Sequence, residues 1–98
     1  MYNVLMSGIN FEWDERKNEE NKKKHKLYFK EARTVFFDEN AVRFEDPDHS
    51  IDEQRFIMLG VSFKLRILVV VHCLIEKNII RIISARKATK NEQAIYER

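Results

Sequence analysis

The sequence contains few of the residues that interrupt or cross-link a chain: one cysteine, one proline and two glycines among 98 residues. A single cysteine excludes an internal disulfide and is typical of a protein in a reducing compartment. Because Cys73 lies in an apolar run, we expect it to pack as a small hydrophobic residue rather than to act as a nucleophile. The scarcity of proline and glycine favours a chain built largely of helices and strands.

Long hydrophobic runs are also missing. No apolar run reaches the roughly 20 residues that a membrane-spanning helix needs, and the first ten residues lack the basic start and apolar stretch of a secretory signal. Hydrophobic residues make up 44% and charged residues 35% of the chain, which excludes a disordered composition. We therefore expect a cytoplasmic protein with one domain, 1–98, in which residues 1–10 form a loosely ordered leader.

The chain has little excess charge, since its formal net charge is only +2, but the charge is unevenly distributed. Residues 14–30 hold seven Lys or Arg against four Asp or Glu, and residues 81–98 hold five against two. Between them, residues 31–55 hold three against eight. The two basic segments could meet to form a phosphate-binding patch, or each could be a solvated helix face. Charge alone leaves both alternatives open.

Local patterns predict the secondary structure. Asp14 is a suitable N-cap for a helix over 15–25, and apolar residues at three- and four-residue spacing predict a second helix over 29–37. Capping-box patterns at 50–53 and 89–92 predict a helical turn and a short C-terminal helix. Strands are predicted at 11–13, 41–44, 56–63, 67–74 and 79–84, with turns at 46–48 and 64–66. This order predicts an α+β fold, with an antiparallel sheet, two N-terminal helices packed on it and a short C-terminal helix.

The strand at 79–84 organises the rest of the prediction because burial and charge overlap in it. Its four isoleucines favour a central strand, and strand alternation places Arg81 in an otherwise apolar row. An arginine in such a row either pairs with a carboxylate such as Glu53 or lines a cleft. In a regular strand Arg86 points to the opposite face, and a bulge or the strand's end near Ala85 is needed to bring the two arginines together.

The helix predicted at 15–25 has almost no apolar stripe. One of its faces is made of polar residues at helical spacing: Lys17, Asn21, Lys24 and His25. The helix therefore either lies on solvent or lines a site. In contrast, His72 lies within the apolar run at 67–74, and we expect it to be a buried structural histidine rather than a catalytic one.

Several motifs resemble those of one known family in their order and spacing. They are F-E-W-D at 11–14, N-K-K-K-H at 21–25, F-K-E-A at 29–32, V-F-F-D at 35–38, H-S-I-D-E-Q-R at 49–55 and I-I-S-A-R-K-A-T at 82–89. From residue 11 onward, the chain resembles the BrnT family of bacterial type II toxin–antitoxin systems. It departs from the family pattern at Lys26, where glycine is usual, and at Tyr28, where serine or a similar N-cap is usual.

The resemblance implies a fold similar to that of the RelE ribonucleases and a toxin that cleaves RNA and inhibits translation. It also implies neutralisation by a BrnA antitoxin that binds DNA and dimerises, so we expect a complex of two toxins and two antitoxins. The toxin itself is then not expected to contact DNA, and carboxylates of the antitoxin are expected to cover its basic surface. The alternative is a non-catalytic domain that binds a protein partner through the same basic face.

RNA cleavage without a metal requires activation of the ribose 2′-hydroxyl, stabilisation of the charged phosphorane, and a proton donor for the leaving 5′-oxygen. The sequence shows no set of His, Asp and Glu at metal-ligand spacing, so no metal or other cofactor is expected. Arg81 and Arg86 are predicted to bind the phosphate, with Arg55 as a third candidate, because a guanidinium can contact two phosphate oxygens at once.

His25 and Glu53 are the acid–base candidates, since a histidine exchanges protons near neutral pH. Each has a structural alternative: a histidine at a helix end can cap free carbonyls, and Glu53 belongs to a predicted capping box. Lys24 and Lys87 are candidates for binding RNA phosphates, although a solvated side chain is the default for a lysine in a run of three. The phenylalanines lie at core spacings, so no base-stacking surface is expected.

Overall fold

The computed structural model describes residues 8–47 and 54–98. In chain order the elements are β1 (Asn10–Glu12), α1 (Glu15–His25), α2 (Phe29–Ala32), a 3₁₀ segment (Arg33–Phe37), β2 (Val42–Glu45), β3 (Arg55–Val61), β4 (Ile67–Glu76), β5 (Ile79–Lys87) and α3 (Lys90–Tyr96). The predicted capping box at 50–53 and part of the predicted turn at 46–48 lie outside the described residues. No helix within the two described ranges is long and apolar enough to cross a membrane.

The five strands form one sheet in the order β1-β5-β4-β3-β2. From β2 to β5 all neighbours are antiparallel, whereas β1 pairs with β5 in parallel, with Asn10 opposite Ile79. The predicted α+β class is confirmed, but the prediction of an antiparallel sheet was wrong for β1. A hairpin forces two neighbouring strands to run antiparallel. No hairpin joins β1 to β5, because the helices and the other strands lie between them in the chain.

The second predicted helix is divided into α2 and the 3₁₀ segment. Thr34 explains where the change occurs, because its Oγ1 donates a hydrogen bond of 2.6 Å to the backbone carbonyl of Glu31. A hydroxyl that bonds a carbonyl of the preceding turn competes with the α-helical ladder, and the tighter 3₁₀ turn is a common outcome. The apolar spacing that predicted this segment is nevertheless correct, since Phe29, Ala32 and Val35 are all buried.

The main core lies between the sheet and the N-terminal helices. Its buried residues come from both layers: Leu27, Phe29, Ala32, Val35, Leu68, Val70, Ile82 and Ala85. We call this side of the sheet the helical face. Gly60 lies within β3 on this side, where a Cβ would meet that of Val35 at 3.2 Å. The glycine therefore permits the close approach of the 3₁₀ segment rather than interrupting the strand.

His72 lies on the helical face and is almost completely buried, which confirms the expected burial. Its ring stands edge-on to Phe36, with the ring centroids 4.8 Å apart, and its Nδ1 lies 3.3 Å from the carbonyl oxygen of Val70. Burial lowers the pKa of His72 to about 4, because an apolar environment disfavours the charged imidazolium. His72 is therefore a neutral core residue at physiological pH.

The opposite face of the sheet carries a smaller core, partly covered by α3. Leu59, Val69 and Ala88 are buried there, and Tyr96 of α3 packs against them. The hydroxyl of Tyr96 donates a hydrogen bond of 2.6 Å to Asp38, which follows the 3₁₀ segment. Bonding to this carboxylate raises the pKa of Tyr96 to about 12. The capping box predicted for α3 is confirmed, with Thr89 and Glu92 bonded reciprocally.

Candidate active site

A bulge in β5 decides which way its two arginines point. Val71 pairs with Ser84 and His72 pairs with Ile82, so Ile83 is an extra residue on β5. Because of this insertion, Ile82 and Ala85 both face the helical core, although their spacing would separate them in a regular strand. Their neighbours Arg81 and Arg86 therefore share the opposite face. The strand is therefore not regular, and the bulge named in the sequence analysis as the condition for a shared face lies two residues before Ala85.

Arg81 is an exposed residue rather than a charge in an apolar row, so that prediction was wrong. Its Nε and Nη2 each lie 2.7 Å from Oε2 of Glu12 on the neighbouring strand β1. The two side chains are 46% and 41% exposed, respectively. Glu53, the partner suggested by sequence, lies outside the described residues. In the structure Arg81 does both: it pairs with a carboxylate, that of Glu12, and it also lines a cleft.

The cleft beside Arg81 lies between β1, β5 and the start of α1. It has a volume of about 440 Å³ and is lined by Glu12, Trp13, Asp14, Lys17, Arg81, Ile82 and Ile83. Asp14 is occupied as the N-cap of α1, since its Oδ1 accepts hydrogen bonds from the backbone N–H groups of Arg16 and Lys17. These bonds lower the pKa of Asp14 below its ordinary value. Two cations and one further carboxylate, Glu12, remain as the chemical groups of the cleft.

Lys17 reaches this cleft because buried amides attach α1 to the sheet. The side chain of Asn21 pairs with both backbone groups of Ala85: its Nδ2 donates to the carbonyl at 2.9 Å, and its Oδ1 accepts from the N–H at 3.1 Å. One turn earlier, Oδ1 of Asn18 accepts a bond from the N–H of Phe29 at 2.8 Å. Beyond the end of β1, Asn21 thus takes the place of a neighbouring strand. The polar helix borders the cleft through Lys17, and hydrogen bonds replace its missing apolar stripe.

Arg55 belongs to the same face as Arg81. In the sheet register Arg55 lies opposite Cys73, Cys73 lies opposite Arg81, and Arg81 lies opposite Glu12. At the usual strand spacing, Arg55 and Arg81 are about 10 Å apart across β4. Cys73 between them is buried, as expected. The row places a second arginine within reach of a polymer bound at the cleft.

Arg86 lies on this face as well, but it is engaged differently. Its Nη1 and Nη2 donate to the two carboxylate oxygens of Glu92 at 2.7 and 2.8 Å. The bond from Arg86, reinforced by the backbone N–H of Thr89, lowers the pKa of Glu92 to about 2. Arg86 pairs with Val69 and Arg81 with Cys73, which separates the arginines by about 13 Å along the strand. The shared face therefore does not bring them to one phosphate.

The remaining candidates lie toward the other end of α1 and β5. His25 is the last residue of α1, about 12 Å beyond Lys17 at the helical rise of 1.5 Å per residue. Lys24 precedes it and is exposed, as is Lys87 at the end of β5. Lys26 adopts the left-handed conformation, with φ of 61°, at the position where the sequence analysis noted the absence of the usual glycine. The helix thus keeps the usual C-terminal geometry despite the Cβ.

Comparison with known proteins identifies the family of this chain. Residues 13–92 match the model of a family of ribonuclease toxins, BrnT, of type II toxin–antitoxin systems. The chain belongs to the BrnT family. A search of solved structures finds the ribonuclease toxin BrnT of Brucella abortus, with 25% sequence identity and a TM-score of 0.66, over 84% of this chain and 99% of the other. A search of curated protein sequences finds no match to this chain.

Membership of the BrnT family confirms the resemblance that the motifs indicated, and it implies an antitoxin partner. Two charged residues of the cleft were not singled out as candidate site residues from the sequence: Lys17, which was named only as part of the polar face of α1, and Glu12, which lies one residue before the matched range. A signal for Glu12 was present, because alternation between Phe11 and Trp13 directs its side chain away from the core. A signal for Lys17 was the pair of asparagines, Asn18 and Asn21, in a helix without an apolar stripe.

Metal-ligating side chains do not gather in the part of the chain that the structure describes, where no three His, Cys, Asp or Glu residues lie close enough together to hold an ion. Arg81, Lys17 and Glu12 are instead the groups that the fold places around one open space. Such a set can bind a phosphodiester and accept a proton from a nearby hydroxyl.

Proposed function

We propose that this BrnT family member is an endoribonuclease that cleaves RNA without a metal ion and thereby inhibits translation. The single observation that carries the proposal is the cleft lined by Arg81, Lys17 and Glu12, in which Arg81 is paired with Glu12. The two N-terminal helices packed on one face of the sheet support the RelE-like layout implied by the sequence resemblance. We expect the protein to act in the cytoplasm.

In the proposed mechanism Arg81 leaves Glu12 and binds two non-bridging oxygens of the scissile phosphate. Its guanidinium is always charged and planar, so it stabilises the negative charge that builds up on the phosphorane. The exchange frees the carboxylate of Glu12 to accept the proton of the ribose 2′-hydroxyl. The 2′-oxygen then attacks phosphorus, and the leaving 5′-oxygen takes a proton from the ammonium group of Lys17.

The other sequence candidates receive supporting roles in this proposal. Arg55 binds a phosphate next to the scissile one, since it lies on the same face as Arg81. Lys24, Lys87 and His25 contact the RNA backbone farther along, and Arg86 primarily holds α3. Glu53 stays a candidate acid–base group, although it lies outside the described residues.

The antitoxin proposed for this toxin is of the BrnA type, with a DNA-binding part and a dimeric form. It covers the cleft with carboxylates that compete with RNA for Arg81 and Lys17. Two toxins and two antitoxins then form the complex, and the toxin makes no contact with DNA. Light scattering checks the stoichiometry: a purified pair that never exceeds one toxin and one antitoxin contradicts this assembly.

The activity is tested on purified protein with single-stranded RNA in the presence of EDTA. We expect fragments ending in 2′,3′-cyclic phosphate, because the 2′-oxygen is the nucleophile. Glu12→Gln removes the base while keeping the shape of the side chain, and it should lower the rate by roughly a hundredfold. Glu20→Gln, on the exposed surface of α1, is the matched control and should cleave as wild type does.

Three results would contradict the proposal. Cleavage that stops with EDTA and returns with Mg²⁺ would show a metal-dependent enzyme. Full activity in Glu12→Gln would remove this residue from the mechanism. Expression in a bacterium without growth arrest, together with no cleavage of RNA, would favour the alternative of a non-catalytic domain that binds a protein through its basic face.

A further inference from the structure

Two of the exposed aromatic side chains lie beside one groove, and the exposure of Phe63 is contrary to the expectation that the phenylalanines belong to the core. Phe63 is 64% exposed and Tyr28 is 42% exposed. Both line one groove between the turn that joins β3 to β4 and the start of α2. The groove continues past Phe63 toward Asp38. An aromatic ring on each side of a groove requires an explanation that core packing does not provide.

The backbone that carries Phe63 is held in place by hydrogen bonds. The N–H of Phe63 donates to Oγ1 of Thr34 at 2.9 Å, and the turn closes with a bond of 2.8 Å from the N–H of Ser62 to the carbonyl of Arg66. The hydroxyl of Ser62 donates to the buried carboxylate of Glu31 at 2.7 Å. The exposure of the Phe63 ring therefore does not come from a loose loop, because the backbone that carries the ring is held in place.

Cations surround both rings. Nζ of Lys22 lies 4.9 Å from the centroid of the Tyr28 ring, and Nζ of Lys64 lies 5.8 Å from that of Phe63. Lys30 and Arg33 also line the groove. Nε of Arg33 is buried without a hydrogen-bond partner among the described residues.

Asp38, at the far end of the groove, already accepts hydrogen bonds from the hydroxyl of Tyr96 and the N–H of Val61. The part of the groove beside the two rings has one carboxylate, Glu31, and that group is already neutralised. Nε of Arg66 donates to its Oε2 at 3.0 Å, and Nη2 of Arg66 binds its other oxygen. The ion pair leaves the lysines and Arg33 as the uncompensated charges around the two rings. An anionic occupant fits this balance, and a basic one does not.

We propose that this groove binds a single-stranded segment of RNA, with bases stacked on Phe63 and Tyr28 and phosphates bound by the lysines and Arg33. Aromatic platforms beside basic side chains are the usual means of holding single strands, because every base has a π-face. An acidic peptide would use the cations but would leave the two exposed rings without a role. The proposal deepens the proposed function and rests on it, since it assigns a second contact to the same substrate.

Helix α1 connects the groove to the cleavage cleft. Lys17 lines the cleft and Lys22 lies over Tyr28, and the helical rise separates them by about 7.5 Å along the axis. Five residues also rotate the side chains by about 140° around the axis, so a strand that contacts both lysines has to wind around α1. The groove would position the RNA, while the cleft would cleave it.

The test measures binding without cleavage. The probe is a fluorescein-labelled oligoadenylate of about eight nucleotides with 2′-O-methyl riboses, a length within the range that single-strand sites cover. It has no 2′-hydroxyl, so the toxin cannot cleave it by the proposed route. Fluorescence anisotropy should show that Phe63→Ala and Tyr28→Ala each weaken binding by about tenfold, within the range for loss of one stacked base. Phe63→Trp should bind at least as tightly as wild type.

Two control variants separate stacking from general effects. Phe44→Ala removes an aromatic ring of similar exposure from β2, outside the groove, and should leave the affinity unchanged. Leu65→Ala removes an exposed apolar side chain from the same turn as Phe63 and should also leave it unchanged. Thermal unfolding of every variant confirms that the protein is folded in the binding assay.

The outcomes distinguish this inference from the proposed function. A wild-type protein that does not bind the probe, or a Phe63→Ala variant that binds it unchanged, overturns the RNA groove even if cleavage is normal. A Phe63→Ala variant that weakens only the complex with the antitoxin also overturns it and makes the groove a protein-docking surface. Binding that depends on Phe63 in a protein that cleaves nothing supports the groove and removes the proposed nuclease activity.

Discussion

The two ends of β5 each carry an arginine that forms an ion pair with a carboxylate, and the two arginines lie on one face with similar exposure. The two carboxylates differ in their other roles. Arg81 meets one oxygen of Glu12, which lines an open cleft. Arg86 forks onto both oxygens of Glu92, which also caps α3. The carboxylate of Glu12 has no other described role. In contrast, the carboxylate of Glu92 helps to hold α3, a helix that has no buried residue. We therefore expect Arg81 to exchange its carboxylate for a ligand more readily than Arg86 does.

Replacing Arg81 should separate activity from stability most strongly. Arg81→Gln should lower RNA cleavage by roughly a hundredfold or more, the effect of losing one preorganised charge donor. The free energy of unfolding should change by less than about 1 kcal/mol, because an exposed ion pair contributes little to stability. Single-turnover cleavage and urea unfolding measure the two effects.

Arg86→Gln is the matched control at the other end of the strand and should show the reverse pattern, with a larger loss of stability than of cleavage. If both variants lose activity equally and keep their stability, the distinction between the two arginines is wrong. The result would then place Arg86 in the cleavage site, where the sequence analysis had placed it.

Asn21→Ala should have the next largest effect, because Asn21 attaches α1 to β5 between the two arginines. The change leaves the N–H and carbonyl of Ala85 without these bonds in a buried position, which should cost about 2 kcal/mol of unfolding free energy. The rate of cleavage should fall as well, since the helix that positions Lys17 is no longer attached to β5 by Asn21. Glu20→Ala, on the exposed side of the same helix, should change the unfolding free energy by less than about 0.5 kcal/mol. An Asn21→Ala variant as stable as wild type would show that the amide pairing does not attach the helix.

The Arg86–Glu92 pair predicts a smaller effect that depends on pH. The pKa of Glu92 falls from its ordinary value of 4.5 to about 2 in the folded protein. The pair's contribution is therefore fully present above pH 4.5 and is lost as the pH falls toward 2. Glu92→Gln should lose about 1 kcal/mol at pH 7 after solvent screening is considered, and its stability should vary less than that of wild type between pH 4.5 and 2. Urea unfolding across this range measures the difference, and parallel curves would contradict it.

Local rules were sufficient for much of the fold. The predicted bounds of α1 are those of the structure, because the N-cap bonds of Asp14 involve only the next three residues. The capping box of α3 and the central strands were also predicted from neighbouring residues. The change from α-helix to 3₁₀-helix within the second predicted helix was not predicted, since apolar spacing alone does not distinguish the two.

The site was less predictable because it depends on long-range register. The bulge at Ile83 arises where β5 pairs with β4, and the partner of Arg81 comes from a strand near the other end of the chain. No spacing within 79–84 reveals either fact. The sequence therefore identified Arg81 as a candidate, but it could not show that Glu12 and Lys17 lie beside it.

The parallel pairing of β1 with β5 also determines when the cleft can form during synthesis. Asn10 pairs with Ile79, so β1 cannot make this pairing until the ribosome has reached β5. At about 5–20 residues per second, β5 follows β1 by several seconds. A nascent chain of intermediate length contains Glu12 and Lys17 but lacks Arg81, and it cannot yet bind a phosphate in this cleft. The order of synthesis thus delays the proposed toxic site until the last strand is complete.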